Sequence, residues 1–112
     1  YLARSEDGGE TWLGEQQIDS LTESTAPRLA CDGEGVYLAY SRFNGVDSDV
    51  YLAYSQDRGA NWADPIRIDG NPASGIMADV TVAARGGWVW LAWREVRGGG
   101  GKSDIFCDRS AP

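Results

Sequence analysis

The sequence predicts an all-β fold built from repeated four-stranded units, and three observations lead to this prediction. The segment from Tyr1 to Trp12 recurs from Tyr51 to Trp62, at an offset of 50 residues. The composition includes five Trp, five Tyr and 15 Gly but only one Met, which favours strands and tight turns over helices. No stretch shows convincing helical periodicity of apolar residues.

The repeat continues beyond its first twelve residues. Ile18-Asp19 recurs as Ile68-Asp69, and the segment Tyr37-Leu-Ala-Tyr40 returns as Trp90-Leu-Ala-Trp93 after a small insertion. Repeats of roughly 40 to 50 residues are typical of a four-stranded blade in a β-propeller. We therefore expect one propeller segment over residues 1–112, with repeat 1 at about 1–50, repeat 2 at about 51–105 and the start of a third at 104–112.

Turn signals divide each repeat into strands, which we call inner, second, third and outer by their distance from the propeller axis. The second strands are apolar on both faces, as expected where each sheet lies between two neighbouring blades. The predicted inner strands are 28–31 and 80–84, the second strands 36–41 and 88–93, the third strands 1–5, 50–55 and 104–108, and the outer strands 12–18 and 62–68.

A motif of the form Ser-x-Asp-x-Gly-x-x-Trp occurs at the same place in both repeats. Short Asp and Ser side chains accept hydrogen bonds from the N–H groups of a tight turn, Gly supplies a positive φ, and Trp covers the hairpin. We interpret Asp7 and Asp57 as turn-holding carboxylates between third and outer strands, in preference to calcium ligands or catalytic acids. The motif residues are Ser5, Asp7, Gly9 and Trp12, then Ser55, Asp57, Gly59 and Trp62.

This motif resembles the Asp box, or bacterial neuraminidase repeat, of sialidase-like β-propellers. The resemblance covers essentially the whole chain and implies a partial propeller of about two four-stranded blades, from a six-bladed ring. It also implies a secreted, cell-surface or periplasmic protein, although no signal peptide is recognisable in the segment. The same motif occurs in enzymes, receptors and non-catalytic proteins, so it predicts a scaffold and leaves the activity open.

Strand alternation sorts the connections onto two faces of the propeller. The Asp-box turns share one face with the turns at 32–35 and 85–87, whereas the longer loops at 19–27, 42–48, 69–79 and 94–103 gather on the other. Long charged loops on a rigid scaffold commonly carry binding sites. The candidates for ligand contact on this long-loop face are Arg28, Arg42, Asp79, Arg94 and Glu95, and the alternative is that they are solvated rim charges.

The sialidase resemblance implies three arginines that grip a substrate carboxylate, an Asp acid/base, and a Tyr nucleophile assisted by a Glu. Arg28 lies where that family places its first arginine, although the order Pro27-Arg28-Leu29 departs from the family's Arg-Ile-Pro. No Tyr with a neighbouring Glu is placed convincingly on the long-loop face. We therefore expect a glycan- or protein-binding scaffold; the alternatives are part of an exo-sialidase or related glycoside hydrolase, and a fragment that self-assembles as a trimer.

Charge and residue usage argue against several other classes of function. The formal net charge of −7 disfavours nucleic acid and anionic lipid, and no apolar run approaches the roughly 20 residues of a membrane helix. The absence of His excludes Ser-His-Asp hydrolysis and His-based zinc sites within the chain. Asp47 and Asp49 offer too few ligands for calcium, and the glycine run 98–101 lacks a P-loop continuation. We expect neither a metal nor a cofactor.

Cysteine and tryptophan residues in the predicted strands complete the expectations. We expect Cys31 and Cys107 to be buried and unpaired, and Trp88, Trp90 and Trp93 to belong to the core instead of stacking on sugars. Because two blades cannot close a ring, further blades must come from the same polypeptide or from a homo-oligomer. The surplus third strand favours a longer polypeptide.

Overall fold

The fold is all-β. The computed structural model describes residues 1–20, 23–70, 77–96 and 102–110, and the regular secondary structure in these ranges consists of seven strands. They form two antiparallel sheets in the orders β1-β2-β3-β4 and β5-β6-β7. No helix that could cross a membrane occurs in the described ranges. The strands are β1 Ser24–Asp32, β2 Gly35–Phe43, β3 Ser48–Ser55, β4 Ile66–Arg67, β5 Met77–Arg85, β6 Trp88–Val96 and β7 Ser103–Ser110.

The first sheet is a complete blade of inner, second, third and outer strands, and the second sheet repeats the first three. The predicted outer strand 62–68 narrows to the two residues of β4. Pro65 precedes it and has no N–H to donate, which shortens an edge strand. Single hydrogen bonds continue the hairpin on both sides, from the Ala63 amide to the Tyr54 carbonyl at 2.9 Å and from the Ile68 amide to the Val50 carbonyl at 2.8 Å.

The predicted strands 1–5 and 12–18 form a hairpin, which we call the N-terminal hairpin, with one isolated bridge in place of a ladder. Leu2 and Gln16 exchange two backbone hydrogen bonds of 2.8 Å, and the Leu13 amide donates to the Arg4 carbonyl at 2.8 Å. Among the described residues, no strand takes the place of a blade's second strand beside residues 1–5. The hairpin therefore lacks the neighbour that regularises β3 and β4.

Both inner strands are longer than predicted because each contains a β-bulge. The register shifts between Thr25 and Arg28 in β1 and between Ala78 and Val80 in β5. Ala26 and Asp79 occupy equivalent places in the two bulges, with φ of 52° and 60°. The prediction recovered only the regular part of each strand, because a bulge interrupts the alternation that marks a strand in sequence.

The core lies between the two sheets. Val89, Leu91 and Trp93 alternate along β6 and point toward the first sheet, while the intervening side chains point to the opposite face. Tyr37, Ile68, Val82, Ala84 and Phe106 pack around this cluster. The buried residues of the core are Ala39, Val50, Leu52, Val80, Val89, Leu91 and Trp93.

The expectation that both cysteines are buried is wrong: Cys31 and Cys107 are free and exposed. Cys107 lies opposite Ala92 on the outward face of the second sheet, where Ile105 is also 73% exposed. Cys31 lies on β1, on the same face of the first sheet as its strand partner Val36. Both cysteines occupy sheet faces that a neighbouring blade would cover. Of the three tryptophans, Trp93 is buried, whereas Trp88 and Trp90 are half-buried and stack at 6.3 Å between ring centroids.

Replacing Leu91 by Ala is expected to lower the free energy of unfolding by about 2–5 kcal/mol, because it opens a cavity between the sheets. Leu91 is 3% exposed. The matched control is Ile105→Ala in the same sheet, which we expect to cost less than about 1 kcal/mol. Urea unfolding followed by Trp fluorescence measures both. Equal losses would show that the outward face of the second sheet is buried as well.

Candidate functional site

The second Ser-Asp turn is held by its own side chains. Asp57 Oδ1 accepts hydrogen bonds from the Ser55 hydroxyl at 2.7 Å and from the Asn61 amide at 2.8 Å, and Oδ2 accepts from Asn61 Nδ2 at 2.7 Å. The Ser55 hydroxyl in turn accepts from the Gly59 amide at 2.8 Å. Gly59 has a φ of 84°, which only glycine adopts without strain. Both oxygens of the Asp57 carboxylate therefore accept hydrogen bonds from within the turn.

The first Ser-Asp turn repeats this network with Thr11 in the place of Asn61. Asp7 Oδ1 accepts from the Ser5 hydroxyl at 2.7 Å and from the Thr11 amide at 2.9 Å, while the Thr11 hydroxyl donates to Oδ2. The Gly9 amide donates to the Ser5 hydroxyl at 2.8 Å, and the φ of Gly9 is 97°. Bonds from Thr11 lower the pKa of Asp7 to about 2, and bonds from Asn61 lower the pKa of Asp57 to about 2.

The two motif tryptophans behave differently. Trp62 is half-buried, donates from Nε1 to the Gly59 carbonyl at 3.1 Å and covers its turn. Trp12 is 64% exposed. The second turn packs against Leu2 and Arg4 of the N-terminal hairpin, whereas the first turn has no preceding hairpin among the described residues. Trp62 therefore contacts its own turn, whereas most of the Trp12 side chain is exposed.

Short turns of both sheets gather on the same face as the Ser-Asp turns. The Arg58 amide donates to the Glu34 carbonyl at 2.8 Å, and the two side chains form an exposed ion pair at 3.3 Å. Asp32 Oδ2 accepts from the Gly87 amide at 3.0 Å, which links the turns of neighbouring sheets. Asp7 and Asp57 therefore lie on the opposite side of the molecule from the long loops.

Three of the five ligand-facing candidates come together at a cleft of about 450 Å³ at the long-loop end of the inner strands. Arg28 is the first residue after the bulge in β1, Asp79 forms the bulge in β5, and Arg94 projects from the exposed face of β6. All three side chains are exposed. Ile105 and part of the Trp93 side chain form an apolar section of the cleft wall. We call this the arginine cleft; its lining residues are Arg28, Asp79, Val80, Thr81, Ala92, Trp93, Arg94 and Ile105.

The arginine cleft has an excess of positive charge. Within the described part of the chain neither Arg28 nor Arg94 forms an ion pair, and Arg28 makes one hydrogen bond, to the neighbouring Pro27 carbonyl at 3.0 Å. Asp79 supplies the one carboxylate. Two guanidinium groups with unused N–H donors can bind a planar anion such as a carboxylate.

Arg42 and Glu95 do not line the arginine cleft. Arg42 is half-buried, donates from Nε and one terminal nitrogen to Asp19 Oδ2 at 2.9 and 2.7 Å, and lies 3.9 Å over the ring of Tyr51. Glu95 is fully buried and accepts from Trp93 Nε1 at 3.2 Å. β2 and β6 extend past the predicted ends at 41 and 93, so both residues belong to strands and point toward the preceding blade.

Sequence analysis missed a second aspartate, Asp69, which pins the hairpin of β3 and β4 at the long-loop end. Asp69 is buried, accepts from the Val50 amide at 3.0 Å and pairs with Arg67 at 3.1 Å; Arg67 also reaches Asp49 at 2.8 Å. The hydrogen bonds that Arg67 donates to Asp69 raise the pKa of Arg67. Asp19 occupies the corresponding place after the N-terminal hairpin. The repeated Ile-Asp pair was the available signal.

The structure contains no group of three or more Cys, Asp or Glu side chains arranged to hold a metal ion in the described ranges. The glycine run 98–101 and most of the loop 69–79 lie outside the described residues. The loops at 19–27 and 94–103 are described in part. All the lining residues of the arginine cleft that the structure describes lie in strands β1, β5, β6 and β7.

Comparison with solved structures identifies a sialidase-like propeller fold. A sialidase from Trypanosoma rangeli, solved in complex with sialic acid, matches 82% of this chain with a TM-score of 0.56 and 14% sequence identity. The chain spans 20% of that protein's length. Likeness at this identity shows the fold alone. No protein-family model matches the chain, and no curated protein matches it in sequence. The predicted partial propeller is confirmed.

Ser55→Ala is expected to lower the free energy of unfolding by about 1–3 kcal/mol, because it leaves the buried Gly59 amide without an acceptor. Ser55 is 2% exposed. Ser5→Ala removes the same contacts from a turn in which water can replace the hydroxyl, so we expect a loss of about 1 kcal/mol or less. Chemical denaturation compares the two variants. A larger loss for Ser5→Ala would contradict this account.

Acid is expected to weaken both Ser-Asp turns between pH 4 and pH 2. The folded pKa of Asp57 is about 2 against an ordinary value of 3.8, so its stabilising contribution is complete above pH 4 and is lost as the pH falls through 2. Thermal unfolding midpoints measured over this range should fall with decreasing pH. Asp57→Asn should reduce the slope of the unfolding midpoint against pH. Asp64 is an exposed residue outside both turns, so Asp64→Asn serves as the control and should leave the slope unchanged. Identical profiles for the two variants would contradict the assignment.

Proposed function

We propose that this chain is a segment of an Asp-box propeller that binds an acidic glycan at the arginine cleft. The observation that supports this most is the convergence of Arg28, Asp79 and Arg94 on one cleft at the long-loop end of the inner strands. The two Ser-Asp turns are the Asp boxes of the proposal. Their saturated carboxylates give them a structural role on the opposite face.

The chemistry of the cleft favours a ligand that combines a carboxylate with apolar and hydroxyl groups. Arg28 and Arg94 can each donate two parallel hydrogen bonds to a carboxylate. Asp79 can accept hydrogen bonds from sugar hydroxyls, and the part of Trp93 that lines the cleft offers apolar contact. The chain as a whole carries a net charge of −7, so this local excess of positive charge distinguishes the cleft from the surrounding surface.

Catalysis is the second candidate, and Asp79 is the observation that favours it. Its φ of 60° is uncommon for a residue other than glycine, and such conformations concentrate at functional sites. However, Ala26 has the same conformation in the equivalent bulge, so the bulge belongs to the blade and only the carboxylate is particular to Asp79. No described Tyr lines the cleft, and a sialidase-type reaction would require residues from further blades.

The proposal includes further blades on the outward face of the second sheet. Trp90, Ile105 and Cys107 lie on that face, where Ile105 is 73% exposed, and the equivalent face of the first sheet is buried by β5 to β7. We assign these blades to the same polypeptide; a ring of three chains is the alternative. Native mass spectrometry distinguishes them, since a trimer would favour the ring. Secretion or display at the cell surface is also part of the proposal.

We expect Arg28→Ala and Arg94→Ala each to weaken binding of an acidic glycan by about ten- to a hundredfold. Each variant removes two hydrogen bonds that a charged guanidinium donates to the ligand. Arg58→Ala, on the opposite face, is the matched control and should bind like the unmodified protein. A glycan array that includes sialosides and uronic acids, followed by calorimetry on the ligands it identifies, measures the effect. Binding that is insensitive to Arg28 and Arg94 would reject the cleft.

A fluorogenic sialoside separates binding from catalysis. Binding without turnover supports the scaffold, whereas turnover that Arg28→Ala abolishes supports the glycoside hydrolase. Asp79→Asn refines the second result, because an acid/base role predicts a loss of kcat with a small change in KM. A protein that neither binds acidic glycans nor hydrolyses them would contradict both.

A further inference from the structure

The connection between β2 and β3 presents an Asn-Gly pair on the long-loop face. The Asn44 amide donates to the Asp47 carbonyl at 2.9 Å, which closes the loop. Gly45 has a φ of 98°, and a Cβ at this position would meet no atom within 4 Å apart from its chain neighbours. Both Asn44 and Gly45 are exposed. Solvent therefore reaches the peptide bond between them.

Two backbone amides bind the side-chain oxygen of Asn44. Asn44 Oδ1 accepts hydrogen bonds from the Val46 N–H at 3.0 Å and from the Asp47 N–H at 2.9 Å. Two N–H donors on one carbonyl oxygen stabilise the negative charge that develops there when a nucleophile attacks the carbonyl carbon, as in an oxyanion hole. The loop therefore activates Asn44 Cγ toward attack.

The backbone nitrogen of Gly45 is the nucleophile that the chain itself brings to this carbon. A bond between the Gly45 nitrogen and Asn44 Cγ closes a five-membered ring, and glycine has no side chain to obstruct the approach. Within the described ranges the Gly45 N–H donates no hydrogen bond that would have to break first.

The other two asparagines of the chain lack this combination. Asn61 donates its backbone N–H and its side-chain Nδ2 to Asp57, at 2.8 and 2.7 Å, and the bulky Trp62 follows it. Asn71 is followed by Pro72, which has no N–H and cannot act as the nucleophile. Asn44 is therefore the asparagine that the sequence and the loop geometry both single out.

We infer that Asn44 is a site of spontaneous deamidation, promoted by the two backbone amides that bind its side-chain oxygen. The Gly45 nitrogen gives up its proton to solvent and forms a bond to Asn44 Cγ. The bond from Cγ to Nδ2 then breaks, and the amide nitrogen takes a proton from solvent and leaves as ammonia. Water adds to one of the two carbonyl carbons of the cyclic imide and opens it, which leaves an aspartyl or an isoaspartyl residue at position 44.

The modification changes the charge of the long-loop face. Asn44 Nδ2 donates to Asp49 Oδ2 at 3.4 Å, and the product has a carboxylate in its place. This adds one negative charge beside an existing carboxylate and removes the donor between them. The inference does not depend on glycan binding at the arginine cleft.

Peptide mapping by mass spectrometry tests the inference on the whole chain, incubated in its folded state at mildly alkaline pH. Conversion is detected as replacement of NH2 by OH and as labelling by an isoaspartyl methyltransferase. It should be at least about tenfold faster at Asn44 than at Asn61, and it should accelerate as the pH rises because the attacking nitrogen must lose its proton. No conversion at Asn44, or equal rates at the two asparagines, would overturn the inference.

Two variants of Val46 separate the contribution of the fold from that of the Asn-Gly sequence. Val46 is 81% exposed, so neither variant disturbs the core. Val46→Pro removes one N–H that binds Asn44 Oδ1 and should slow conversion by about tenfold or more, whereas Val46→Ala, the matched control, keeps the N–H and should leave the rate unchanged. In urea, where these hydrogen bonds are absent, the two variants should convert at the same rate. Equal rates for the two folded variants would mean that the Asn-Gly sequence acts alone, and the inference would fail.

Discussion

The apolar contact between the two sheets is the constraint on which the rest of the structure depends. Each sheet has two faces to bury, and four short strands cannot bury both alone. Leu52 from one sheet and Leu91 from the next share the core, which fixes the second sheet against the first. Ile105 and Cys107 are exposed because no described strand packs on the outward face of the second sheet.

Hydrogen bonds to aspartate hold the hairpin of β3 and β4 at both ends. Asp57 closes the third-to-outer turn on one face, and Asp69 ties the far end of the outer strand to the Val50 amide on the other. These bonds compensate for an outer strand of only two regular residues. Because the hairpin is clamped at both ends, the connections on the long-loop face can vary in length and sequence without loosening the blade.

The repeat in the sequence was sufficient to predict the order of strands, their antiparallel pairing and the segregation of short turns from long loops. Local details could not be predicted, because a bulge adds one residue without altering composition. The misplacement of Arg42 and Glu95 follows from strand length: β2 and β6 run two or three residues further than predicted, and alternation then sends Arg94 to the open face and Glu95 to the buried one. Burial of Cys31 was over-predicted because it depends on a neighbouring blade.

The distribution of satisfied and unsatisfied polar groups supports the proposal that ligand binding belongs to the long-loop face. On the short-turn face, Asp7 and Asp57 receive all their hydrogen bonds from their own turns, and Arg58 pairs with Glu34. The arginine cleft instead presents guanidinium donors without carboxylate partners among the described residues. A guanidinium without a carboxylate partner can form charge-assisted hydrogen bonds with an anionic ligand directly, whereas the paired groups of the short-turn face would first have to give up the bonds they already make.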